Sequence, residues 1–581
     1  MRLFTTHHRA VGNATIFASM AFVLVGGTLA MLMRWQLGWP GVLKADTYLS
    51  TLTAHGTIMI FFGLIPIVTH GLGTSLIPSK IGSPEMAFPF LSGLSFWGLF
   101  PAAAVFACAF HVPAPAQSGW TSYAPLASIR LNDHAWTLWM WGVNLAAWWL
   151  VFAYIAQDIA KCRLQNAIGN LRHRLSFCIL AIAPAFLVTW LLSHVVVSGQ
   201  SAWYASISLL TIPSLAGAIN IIATIALCRD PKLRWFAMPL SVWNWLVTAV
   251  MVLLATPALL AALVMAMTDH HTVAVGESVY RLSSFFVPAM WAPSNQPQIS
   301  AGGSSLLWQH LFWFYAHPAV YIMILPVMGM ISEIIPYYAR RPIYGYRAMV
   351  GSTIAIAVLG FLVWAHHMFQ SGLNPMAGTV FSLATMLIAV PSGTKVFNWI
   401  ATLHKGSIRL EPAMCYACAF VALFVVGGMS GVYIASTALN IQLHDTYFIV
   451  AHLHYVLFGG SLFGLFAGIT HFFPVLFERS MNRTLGYVHF VLTFIFFNCT
   501  FFTMHILGLA GAPRRVADPN SYTLYAEFAD LNRFISVSAF LLGLSQIPFI
   551  VNMIWSAKWG RRLPPGDDLP LRVDRKPAEN E

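Results

Sequence analysis

The chain has 581 residues, 58% hydrophobic and only 9% charged, with a mean hydropathy of +0.70, more apolar side chain than a soluble core can bury. That balance excludes a soluble globular protein and makes the bilayer the solvent. The net charge of +12 would suit a nucleic acid if it formed one patch, but the basic residues sit in short loops between apolar runs, so no nucleic-acid partner is expected.

The N-terminal MRLFTTHHRAVGN is basic, and the apolar run after it is about twenty residues long, enough to span a bilayer. It ends at MRWQ without a small-residue cleavage site, so it reads as a retained first span and not a signal peptide. Apolar runs centre near residues 23, 62, 99, 146, 187, 215, 252, 320, 358, 390, 423, 460, 496 and 545, which predicts about fourteen transmembrane helices. No repeat or linker interrupts them, so residues 1–581 are expected to form one all-α, polytopic membrane domain. With both termini in the cytoplasm, the inner loops hold Lys161, Arg163, Arg172, Arg174, Arg229, Lys232, Arg234, Arg340, Arg341, Arg347, Lys405 and Arg409. The long outer loops hold only Arg130 and Arg281, as the positive-inside rule asks. Arg514 and Arg515 are the exception. Cys415 and Cys418 form a lone CxxC with no second pair, which predicts neither zinc nor a redox disulfide.

Metal-binding side chains inside a bilayer are costly and read as functional by default. Six histidines qualify: His55 in TLTAHGTIMIFF, His317 in FWFYAHPAVYIMILP, His366 and His367 in FLVWAHHMF, and His452 and His454 in HDTYFIVAHLHYVLFGG. The orientation places all six in the outer half of the membrane. His452 and His454 point about 200° apart on a helix, so they cannot share a metal, yet each can hold a heme on its own face. His55 can supply a second axial ligand to one of those hemes, making it six-coordinate and suited to electron transfer. His317, His366 and His367, with no thiolate or carboxylate near them, suit a copper ion with an open position. His7, His8, His270 and His271 lie in polar ends or loops and are given no ligand role.

These segments, together with PEMAFP, LSFW, GWTSYAPLA, IAVPSGTKVFNWIATLH and GLAGAPRR in the same order, resemble subunit I of the heme-copper oxidases, in the branch that includes mitochondrial-type cytochrome c oxidase. The resemblance covers most of the chain. It implies a twelve-helix core, two hemes of a- or b/o-type, one copper ion and a magnesium ion, and reduction of O2 to water. By that resemblance His55 and His454 are ligands of the low-spin heme, His452 of the high-spin heme, and His317, His366 and His367 of the copper. Tyr321, one turn after His317, matches the tyrosine joined covalently to the histidine in this family, a donor of an electron and a proton. Arg514 and Arg515 match the pair that hydrogen-bonds heme propionates, His444 and Asp445 the magnesium site, and Arg34 a residue beside a substituent of the low-spin heme. Trp120 is expected near the propionates. Lys395 matches the lysine of the family's K-type proton pathway, extended by Ser392, Thr394 and Tyr321.

The chain departs from the family at its second proton route. The aspartate of PDMAFP is Glu85 here, and the glutamate of HPEVY is Ala319; Tyr315, four residues before Ala319, is the candidate substitute. The asparagine-rich start of that route carries Thr74, Ser92 and Gly93. An insertion of roughly eighty residues, with an additional transmembrane hairpin over 130–200, brings the predicted span count above the family core. The implied setting is a bacterial cytoplasmic-membrane complex with subunit II, carrying a dinuclear copper site, subunit III and membrane lipid. Cytochrome c is the expected donor, although Thr47 and Ser50 stand where quinol-oxidising relatives carry quinone-binding residues. Alternatives are a quinol oxidase, a nitric oxide reductase, against which Tyr321 and Ala319 speak, and a proton-coupled transporter, for which discontinuous helices and an inverted repeat are wanting.

Overall fold

The computed structural model describes residues 5–110, 115–123, 144–153, 185–187, 198–270, 272–275, 278–281, 285–286 and 303–562. Among these, eleven helices are long and apolar enough to cross a membrane: α1 (His8–Gly38), α2 (Ala45–Ile81), α3 (Pro89–Cys108), α4 (Gly199–Leu227), α5 (Leu240–Asp269), α6 (Ser305–Ala339), α8 (Pro375–Leu403), α9 (Pro412–Ala435), α10 (Tyr447–Phe477), α11 (Arg483–Leu509) and α12 (Ala529–Trp559). A shorter apolar helix, α7 (Tyr346–Gly360), accounts for the run centred near 358. Twelve of the fourteen expected centres therefore fall in α1–α12, and the all-α polytopic fold is the one found. The predicted hairpin over 130–200 lies outside the described residues, apart from a helix at Asn144–Ala153, residues 185–187 and the start of α4. One feature is not helical: Thr272–Val275 and Ser278–Arg281 pair as an antiparallel ribbon in the loop after α5.

In a bilayer each backbone group must be satisfied within its own helix or by a neighbour, which is why apolar runs of this length fold as helices. Side-chain caps start several of them: Asn374 accepts from the Met376 amide, Thr446 from Phe448 at 3.2 Å, and Asn482 from Leu485 at 3.0 Å. Helix α6 is central, with 89% of its most apolar window buried against 17% for α1 and α8. Two segments of α2, Ile58–Leu64 and Ile67–Gly71, and one of α10, Tyr455–Leu462, are wound as π-helix. The first begins three residues after His55 and the last directly after His454. Such turns release a carbonyl from the helix ladder, and here Val68 O accepts from Trp245 Nε1 at 2.8 Å. A buried ion pair, Lys80 to Glu333, ties the inner end of α2 to α6, and Glu333 also accepts from the Ser241 amide at 3.1 Å.

Candidate metal centre

Three imidazoles meet between α6 and the turn that follows α7. His317 sits mid-way along α6, while His366 and His367 lie in a 3-10 turn, Trp364–Met368. The three offer ring nitrogens that all lie within 4.8 Å of one another, and His317 Nδ1 is 3.1 Å from His367 Nε2. His317 Nε2 is buried with no hydrogen-bond partner, and the imidazoles cross edge to face at 4.4 Å between His317 and His366. A nitrogen-only cluster turned inward on itself fits a copper ion. The rings are held from outside. Trp313, one turn before His317, stacks on His367 at 3.7 Å and 10°, and His366 Nδ1 meets Thr385 Oγ1 at 3.0 Å. The Tyr321 ring lies edge-on to His317 at 4.8 Å, and a methyl at Gly360 would come within 2.8 Å of its Cδ2, so only glycine lets α7 approach the ring this closely.

The other three histidines share one design. His55 Nδ1 lies 2.8 Å from Gly26 O, His454 Nδ1 2.8 Å from Val450 O, and His452 Nδ1 3.0 Å from Gly427 O and 3.1 Å from Ser430 Oγ. A carbonyl at Nδ1 fixes the proton there and leaves Nε2 as the ligand atom, the arrangement a heme iron requires. His454 stacks on Phe501 at 4.2 Å and 12°. His454 is within electrostatic reach of His55, and His452 of His366 and His367. One turn of α10 thus brings His454 within reach of His55 and His452 within reach of His366 and His367.

The loop before α10 and the loop after α11 are stitched together: Arg514 N donates to Asp445 O at 2.8 Å, Tyr447 N to Ala512 O at 3.0 Å, and Thr446 bridges Pro513. Arg514 is neutralised by Asp445, with Nη2 2.5 Å from Oδ1. Burial alone would raise the Asp445 carboxyl, but Arg514 and then His444 hold it below its ordinary value. Asp445 Oδ2 faces His444 Nε2 at 3.7 Å. Arg515 has no carboxylate partner among the described residues. Its Nη2 donates to Thr121 Oγ1 at 3.2 Å, and burial, then the charge of Arg514, bring it down to about 10. A cation left unneutralised beside the histidines suits a propionate. Gly119, at φ +72°, makes room for that guanidinium, whose carbon would lie 3.3 Å from an added methyl. Trp120 packs over Gly56, the residue after His55, at 3.2 Å by the same measure. Its neighbour Tyr123 accepts from Trp313 Nε1, and burial pushes its hydroxyl up to about 12. Arg34 is buried. Its Nη2 donates to Asn532 O and Ser536 Oγ, each at 2.9 Å, and the Tyr447 and Tyr48 side chains stand beside it, Tyr447 within hydrogen-bonding reach.

On α8, Lys395 is 1% exposed, its Nζ donating to Thr353 Oγ1 at 2.7 Å and to Met349 O at 3.3 Å. The hydroxyl of Thr394 does not join it: it bonds Val390 O, one turn back on its own helix, at 3.0 Å. Thr353 stands in its place and reaches Asn244 Oδ1 at 3.4 Å. Ser392 is half-buried on α8, three residues before Lys395. Glu85 is capped by the start of α1, with His8 Nδ1 at 2.9 Å, the His8 amide at 3.0 Å and the Met86 amide at 3.0 Å. His8, which the sequence leaves in a polar end, is thus 4% exposed and a partner of Glu85. Ser92 accepts from Asn220 Nδ2 at 2.8 Å, and Thr74 and Gly93 are buried beside them. Tyr315 stacks on Phe61 of α2 at 6.2 Å and 7°, and Ala319 is buried. The Ser50 hydroxyl is bonded within its own helix, to Asp46 O at 2.9 Å. Thr385, Thr353 and Phe501 carry no sequence signal of their own, since each meets its partner only through the packing of separate helices.

Residues 10–201 and 173–541 match the family described as cytochrome c and quinol oxidase polypeptide I. Cytochrome c oxidase subunit 1 of Thermostichus vulcanus is 38% identical over 569 residues, covering 97% of this chain and 86% of that protein. The subunit of the same name from Bacillus sp. strain PS3 is 35% identical over 566 residues, covering 97% and 77%. A cryo-EM structure of a heme-copper terminal oxidase dimer superposes with a TM-score of 0.69 at 17% identity, over 96% of this chain and 85% of that one. With its histidine clusters set in this bundle and its sequence matched from end to end, the chain belongs to the subunit I family of cytochrome c and quinol oxidases.

Proposed function

We propose that this chain is the catalytic subunit of a respiratory terminal oxidase that reduces O2 to water, with electrons from cytochrome c. The observation that carries the reading is the nitrogen-only cluster of His317, His366 and His367, flanked by the Tyr321 ring and faced by His452 of α10. Two hemes and one copper held at these histidines supply the electron transfer and the oxygen chemistry. His55 and His454 take the low-spin heme, His452 the high-spin heme, and the three clustered imidazoles the copper. Arg515 and Arg514 position the propionates, Trp120 closes over that face, and Arg34 stands beside a substituent of the low-spin heme of a- or b/o-type. His444 and Asp445 leave one nitrogen and one oxygen donor for a magnesium ion that keeps several waters.

The rest of the chain's work is to move protons. Tyr321 gives up an electron and its hydroxyl proton to oxygen, and it is restored by an electron that originates from cytochrome c and by a proton that arrives through Lys395 and Thr353 from the inner side. A second route begins at Glu85, passes Ser92 and Asn220, and ends at Tyr315, which stands in for the carboxylate absent at Ala319 and allows proton pumping by this path. The subunit works with a subunit II bearing a dinuclear copper and a subunit III, as one domain over 1–581 with its hairpin at 130–200, in a bacterial cytoplasmic membrane with both ends inside. Oxygen uptake by the purified complex with reduced cytochrome c tests this. Uptake that collapses in Tyr321→Phe with metals retained supports it, and an undiminished rate opposes it.

A further inference from the structure

His70 is used by nothing described so far. It lies in the second π turn of α2, Ile67–Gly71, which packs against α1, α3, α4, α5 and α6 together, and it is 4% exposed. Its Nδ1 is buried with no hydrogen-bond partner. A satisfied core histidine spends both ring nitrogens, and leaving one bare in the interior is unfavourable.

The surroundings are arranged in tiers. At the inner end, Glu85 meets His8 and Thr224 Oγ1 accepts from the Ala87 amide at 2.9 Å. One turn outward along α4, Asn220 Nδ2 donates to Ser92 Oγ at 2.8 Å, with Thr74 buried on α2. The next tier holds Gly217, Ser95 and His70, three residues further along α4, three along α3 and four along α2, so each shares a face with its predecessor. A methyl at Gly217 would lie 2.1 Å from His70 Cε1 and Nδ1 and 3.0 Å from Ser95 Oγ. Glycine there admits the imidazole between α2 and α4. Ser95 donates to Leu91 O at 2.8 Å, so its oxygen remains able to accept. Further out along α2 stands Phe61, stacked on Tyr315.

We propose that His70 is a proton-relay residue, taking protons that arrive from Glu85 past Asn220 and Ser92 and passing them toward Tyr315. The inference rests on the reading of that route given above. One ring nitrogen accepts a proton from the inner side as the other releases one outward, so only N–H and O–H bonds form and break and no electron moves. An imidazole in this tier gives the route a titratable group in a stretch where this chain has neither the family's asparagines nor its terminal glutamate.

The test uses the assembled complex carrying His70→Gln, which keeps a polar side chain and cannot relay a proton, beside Glu85→Gln and Tyr315→Phe. Heme and copper content are measured first; reduced enzyme is then mixed with oxygen while a pH dye reports proton uptake and heme absorbance reports electron delivery. The expected result is proton uptake slowed about tenfold or more in His70→Gln, with metal content and reduction of the low-spin heme unchanged, a pattern that a purely structural role does not produce. Unchanged uptake in His70→Gln overturns the inference. If Glu85→Gln and Tyr315→Phe still slow it, the route stands without His70, and if none of the three slows it, route and relay both fall. Slowing in His70→Gln alone keeps the relay and moves its proton source away from Glu85. Should His70→Gln fail to assemble, Ser95→Ala decides: slowed uptake supports the relay and wild-type uptake refutes it.

Discussion

Replacing Gly508 by alanine should empty the heme sites, although Gly508 touches no ligand. On α11 its added methyl would lie 1.9 Å from Phe448 N and 2.5 Å from Phe448 Cα. Both are backbone atoms of the first turn of α10, and no rotamer change can move them aside. The shortfall against the 3.4 Å at which ordinary contact begins is about 1.5 Å, and Phe448 is one turn before His452 on the helix that also bears His454. Metal–ligand distances tolerate only about ±0.2 Å, so a retreat of that size takes both histidines out of range. Overpacking of this kind costs about 1–3 kcal/mol. The opposing gain, of roughly 1 kcal/mol for alanine over glycine inside a helix, does not cancel it. The assay is heme per polypeptide from the pyridine hemochrome and the reduced-minus-oxidised spectrum of the purified complex. Gly351→Ala is the control, because nothing lies within 4 Å of its added methyl; it should keep both hemes. A full heme complement in Gly508→Ala would refute the packing argument and the placement of the ligands on α10.

Thr385→Val removes the hydroxyl at His366 Nδ1 and should weaken copper retention about 10- to 100-fold, read by metal analysis after dialysis against a chelator, while heme content stays whole. Lys395→Met should lower oxygen uptake about a hundredfold, with Thr353→Val falling between it and wild type because Thr353 is the hydroxyl that Lys395 Nζ reaches; equal rates in all three would exclude this path. Burial would raise the Glu85 carboxyl, but His8 and the Met86 amide hold it below its ordinary 4.5. A depressed carboxyl stabilises the folded inner surface above that ordinary value, and the contribution is lost as the pH falls through the lowered one. The infrared carboxylate titration, wild type minus Glu85→Gln, should therefore have its midpoint below 4.5, and a midpoint above it would show that burial wins.

The bundle and the grouping of His317, His366 and His367 were legible because the bilayer makes two signals loud: an apolar run long enough to span, and a histidine inside it. Twelve helices follow from the first, and the facing of His452 and His454 to different sides follows from helical geometry alone. What stayed hidden depends on crossings between helices far apart in sequence. Thr353 reaches Lys395 from α7, with Asn244 of α5 behind it as the partner of Thr353, whereas the nearer Thr394 bonds its own backbone. His8 read as a polar end, and only the return of the α2–α3 loop buries it against Glu85. The π turns that reset the register of α2 and α10 leave no mark in a pattern of apolar residues, which is also why His70 could not be placed before the helices were.

The most direct test of the central claim compares oxygen and nitric oxide consumption by the purified complex with reduced cytochrome c, in wild type and in Tyr321→Phe, with heme and copper content measured in both. The account predicts that oxygen uptake dominates and collapses in the variant while the metals remain. Dominant nitric oxide turnover, or a Tyr321→Phe enzyme that reduces oxygen at the wild-type rate, would contradict it.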